Sequence, residues 1–127
     1  TLPLGQWCMN WSALVAAALA LWGWFAPVDI TVDADAERPD TSSLSIMFLY
    51  WDGRCVIQVW PEAWQPTYDP QLIITHEVGH CLGLMHIEQP GIMNGTYEGF
   101  EFSVYDRMEW WRVHPAPYRV TIGMVSK

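Results

Sequence analysis

The stretch HEVGHCLGLMH, residues 76–86, constrains the folding of this chain more than any other. His76 and His80 stand four apart, so on a helix their side chains lie about 40° apart around the axis and about one turn along it. Both imidazoles can therefore reach one ion. If the helix continued, His86 would lie ~15 Å along the axis from His76, beyond the same ion. The spacing predicts that the helix stops, and Gly83 is the residue that tolerates the left-handed turn such a stop needs. The chain can then fold back and deliver His86 to the pair. Glu77, next to His76, sits beside the ion without facing it, where a base acting on water would be needed. Ile74, Val78 and Cys81 are turned about 140–200° from the His76 face and are expected in the core. Cys81 is read as a small buried hydrophobe rather than a fourth ligand.

Signals elsewhere predict an α+β chain. Asp69-Pro70 is a helix entry, with aspartate as N-cap and proline at the first helical position. The apolar run Ala13–Pro27 reads as a buried Ala/Leu helix capped by Ser12; its 15 residues fall short of the ~18–20 that span a bilayer. Val28–Val32 reads as a strand running into an acidic loop. The carboxylates of Asp29, Asp33, Asp35, Glu37 and Asp40 lack the spacing of a calcium loop, and a solvated turn is the simpler reading. Leu44–Trp51 and Arg54–Trp60 have strand character, and the Asp52-Gly53 pair between them suggests a two-residue antiparallel hairpin. Ser103 or a neighbour caps a last helix, about Val104–Val113. Tyr118–Ser126 alternates like a strand and either pairs with a sheet edge, is a disordered tail or leads into a neighbouring module. His114, after the last helix, is read as a helix-end cation or surface residue.

With 127 residues, about half of them apolar, the chain suits a single domain, divided at 1–86 and 87–127. A net charge of −8 argues against nucleic acid or an anionic membrane as partner. Three cysteines without a CxxC permit at most one pair and leave open which. The Ala13–Pro27 run lacks the basic flank and cleavage site of a signal peptide; the chain opens on Thr1 rather than Met, so an upstream segment is expected to have been removed or left out.

HEVGHCLGLMH matches HExxHxxGxxH and resembles the metzincin clan of zinc metallopeptidases. PGIMNGTY places Met93 seven residues after His86, where that clan has its Met-turn. The likeness is greatest to the matrixin group, whose turn also ends in a tyrosine, here Tyr97. RCVIQVWP stands in the place of their edge strand, and FSVYDRMEWW is similar to their C-terminal helix. The resemblance implies a zincin-like α+β fold: a twisted mixed sheet, a long N-terminal helix, an active-site helix and a C-terminal helix. It implies one catalytic Zn2+ on His76, His80 and His86, with Glu77 as general base and a peptide or protein substrate. It further implies substrate pairing along Val56, Ile57 and Gln58, with Tyr97 walling a specificity pocket. Gly83, Met93 and Asp106 would support the site, and location would be secreted or extracellular. Two departures stand out. The Trp60–Asp69 segment is too short, and lacks the histidine, for a structural zinc and calcium loop; Gly95 replaces the usual proline. The rivals are a non-catalytic zinc module for peptide capture, and an assembly protein exposing some of the nine tryptophans.

Overall fold

The structure is a computed structural model describing residues 9–39 and 44–115. Among them the elements run α1 (Trp11–Trp22), β1 (Asp29–Asp33), β2 (Ser45–Leu49), β3 (Arg54–Val59), a 3₁₀ turn (Pro61–Ala63), α2 (Pro70–Cys81) and α3 (Val104–Val113). Three helices with a three-stranded mixed sheet make an α+β fold. Contacts gather the chain into two compact units, Thr1–Leu82 and Gly83–Lys127, divided at the end of α2.

In the first unit, α1 is shorter and less buried than its composition suggests. Asn10, not Ser12, is the N-cap, its side chain accepting from Ala13 N at 3.0 Å. Asparagine caps as well as serine, and the earlier position lets Trp11 and Ser12 join the helix. Gly23 ends the helix well before Pro27: at φ +83° its N–H reaches Leu19 O at 2.9 Å. Only Val15, Ala18 and Trp22 are buried, at the spacing of one helical face. That face packs on α2, where Trp22 Nε1 donates to Thr75 O at 2.9 Å and Gln71 Nε2 to Leu14 O at 2.9 Å.

The sheet order is β1-β3-β2, with β1 parallel and β2 antiparallel to β3. The hairpin loop holds three residues rather than two. Tyr50 N bonds Arg54 O at 2.8 Å, and Gly53 takes the positive φ (+93°) that closes such a loop. The larger correction concerns Val56, Ile57 and Gln58, expected along a substrate-binding edge. They lie on the central strand, hydrogen-bonded on both sides, and Ile57 is fully buried, so no peptide can add there. The alternation in β3 is that of any strand with one core face, and among the described residues β2, not β3, is an edge.

Trp60 and Trp64 are buried and donate their indole N–H to Ala36 O (2.7 Å) and Leu44 O (3.0 Å). Several of the tryptophans are thus core residues with their polar end satisfied. Trp51, at the hairpin tip, is almost fully exposed.

Cys55 on β3 and Cys81 at the end of α2 form a disulfide with a Cα–Cα distance of 5.8 Å. Cys81 is therefore a covalent link and not merely a packed hydrophobe. The bridge closes a loop across 26 positions, which on the loop-closure model stabilises the fold by about 3.5 kcal/mol. The double variant C55A/C81A should lose about that much in urea unfolding. A loss below ~1 kcal/mol would show that the bridge constrains little.

In the second unit, Ser103 and Asp106 form a capping box at the start of α3. Glu109 accepts from Met85 N at 2.8 Å and is paired with Arg112 at 2.7 Å. Its carboxyl is held below the usual range, chiefly by the Arg112 hydrogen bond. His114 caps α3, its ring centroid 4.2 Å from that of Trp110. The strand expected over Tyr118–Ser126 lies outside the described residues.

Candidate metal centre

Helix α2 starts where the sequence indicates. Asp69 is the N-cap, its side chain accepting from Gln71 N at 2.9 Å, and Pro70 occupies the first turn. Its middle, Ile73 to Gly79, is buried throughout. That carries His76 and Glu77 into the interior along with Ile74 and Val78, which the core claims. The rings of His76 and His80 stand 4.8 Å apart, nearly perpendicular at 84°. The helix stops at Cys81. Leu82 N bonds Val78 O at 3.0 Å, and Gly83 follows at φ +96°.

His76, His80 and His86 each offer a ring nitrogen, and these atoms all lie within 4.8 Å of one another. His76 is buried, His80 half-buried and His86 exposed. Three donors at ~2.0–2.1 Å from one tetrahedral zinc would be about 3.3 Å apart. The donor set therefore fits zinc: three neutral imidazoles preserve its charge and leave a coordination position open. Among the described residues it is the one group of three or more such side chains that gathers this way. In the acidic loop, the Asp33 side chain instead accepts from Asp35 N at 2.9 Å.

Glu77 is 5 % exposed, and Ser45 Oγ donates to its Oε2 at 2.7 Å. Burial pushes its carboxyl above the usual range, while the Ser45 hydrogen bond and the charge of His80 act in the opposite direction. Ser45 has no signal in the sequence. It opens β2, 32 positions before Glu77, and only the tertiary fold brings the two together.

The loop that follows His86 is held by buried polar side chains. Asp106 is fully buried and accepts from Ile92 N and Met93 N, both at 2.9 Å, while its own cap residue Ser103 donates to it at 2.8 Å. Met93 is fully buried. Asn94 ties the next turn: its Nδ2 donates to Gln89 O, and its Oδ1 accepts from Thr96 N and Glu98 N. Gly95 lies so close to His86 that a Cβ there would stand 2.9 Å from the ring Nδ1. The absence of a side chain at Gly95 is what seats that imidazole. A cavity of about 440 Å³ is lined by His86, Ile87, Glu88, Asn94, Gly95, Thr96 and Glu98. The Tyr97 ring packs against Phe100 at 4.7 Å, and its φ is +60°.

The sequence model of the matrixin family matches residues 11–110. The chain belongs to the matrixin family. Curated proteins and solved structures compared with it include no significant match. The matched span runs from the first residue of α1 into α3, so this matrixin carries the whole histidine group inside the family region. Family and donor set together point to zinc-dependent peptidase chemistry. No helix among the described residues of this matrixin is long and apolar enough to cross a membrane.

Proposed function

We propose that this matrixin is a zinc-dependent endopeptidase with Glu77 as its general base, built on the metzincin plan with Met93 in the Met-turn. The observation that carries the proposal is the convergence of three imidazole nitrogens next to a buried carboxylate. His76, His80 and His86 would hold one zinc. When bound, that ion would polarise the scissile carbonyl and lower the pKa of water toward about 7. Glu77 accepts the proton of the attacking water as its oxygen bonds to the carbonyl carbon. It then passes that proton to the amine nitrogen as the C–N bond breaks. Met93 and Asp106 act through position: Asp106 clamps the Ile92–Met93 backbone and so fixes the loop that carries His86.

A peptide would bind extended along β2. Among the described residues this strand is paired on one side only, and its free backbone edge can take a further strand. Family membership also supports a secreted or extracellular setting, as does a disulfide at the end of the metal-binding helix.

The test is a broad peptide-library digest by zinc-loaded protein, with and without a zinc chelator. Internal cleavage that the chelator abolishes is the expected result. An intact library in the presence of stoichiometrically bound zinc would leave a peptide-capture module in place of an enzyme.

A further inference from the structure

The side chain of Glu77 is almost wholly buried, yet among the described residues it receives one hydrogen bond, from Ser45 Oγ to Oε2 at 2.7 Å. Oε1 accepts none. A carboxylate buried on a helix needs some donor, and a hydrogen bond within the helix would have satisfied it without fixing it relative to anything else. This donor comes instead from the first residue of β2, a strand paired on one side only among the described residues.

We propose that Ser45 is a positioning residue: its hydroxyl pins Oε2, so that Oε1 is the oxygen presented to water and to the leaving amine, at a set distance from a peptide held along β2. This rests on the reading of Glu77 as the base. One contact then links the strand that would align the substrate with the group that would move the proton. Without it the carboxylate can rotate about its last side-chain torsion, which is broad, and its productive orientation becomes one of several. The effect belongs in kcat, because Ser45 reaches Glu77 and not the substrate side chains.

The comparison uses Ser45→Thr and Ser45→Val in the zinc-loaded protein. Threonine and valine are both β-branched, have nearly the same shape and suit a strand equally, so their difference reads the hydroxyl alone. A hydrogen bond to a charged group supports a loss of roughly tenfold or more. The expected result is kcat within about threefold of the parent for the threonine variant and a fall of that size for valine. KM and zinc content should be the same in the two. Equal kcat in both variants overturns the proposal.

Repeating the pair in Glu77→Gln separates the two layers of the argument. If the hydroxyl acts through the carboxylate, valine costs nothing further there; if it costs the same factor in both backgrounds, Ser45 acts elsewhere and the proposal fails. A Glu77→Gln protein as active as the parent would instead refute the base itself.

Discussion

Glu77→Gln should bind zinc as the parent does and lose roughly 10²–10⁴-fold or more in peptide cleavage, the range expected for removal of a general base. The substitution keeps size and shape, and the amide oxygen can still accept from Ser45, so the strand and helix need not move. The metal-free variant should also be no less stable than the metal-free parent at neutral pH. Burial raises the Glu77 pKa in the fold, so its ionised form is penalised there relative to the unfolded chain. A raised carboxyl pKa lowers stability as pH rises through it, and glutamine removes that penalty. Steady-state kinetics, zinc content and urea unfolding on one preparation check all three points. Cleavage at the parental rate would show that another group takes the proton.

Gly83→Val should abolish zinc binding without altering a ligand. Gly83 holds φ +96°, a conformation that a β-branched residue resists. A Cβ there would also lie 3.2 Å from Val113 Cγ1 on α3, tighter than ordinary packing. Backbone strain of this kind costs about 1–3 kcal/mol. The cheapest relief is to give up the left-handed turn, which removes His86 from the other two histidines. Helix content should be unchanged, because α2 ends two residues earlier. Zinc affinity measured by chelator competition decides the matter, and normal affinity would mean that the turn at Gly83 is not what delivers His86.

The histidine site was readable from the sequence because its logic is local. A four-residue spacing, a glycine and a further three residues oblige a helix to end and a chain to reverse. The Asp69-Pro70 entry and the Ser103 cap are local in the same sense, and both helices begin where they indicate. What was not legible depends on partners distant in the chain. The pattern of β3 is that of a half-buried strand whether it lies at an edge or in the middle. Its central place comes from β1, which pairs with it in parallel after β2 has intervened in sequence. Cys55 and Cys81 carried no motif, and only the packing of β3 near the end of α2 brings their sulfurs together. Ser45 was invisible for the same reason. At α1 the error had another origin: Asn10 and Ser12 are caps of similar strength, and propensity alone could not choose between them.

The most direct test of the central claim is a zinc titration of the metal-free protein, followed by cleavage of an internally quenched peptide taken from the library digest. Activity should start near zero, rise in proportion to added zinc, break at one equivalent and stay level with calcium present or absent. Cleavage by the metal-free protein, or one equivalent of bound zinc without cleavage, would contradict a zinc-dependent peptidase built on His76, His80, His86 and Glu77.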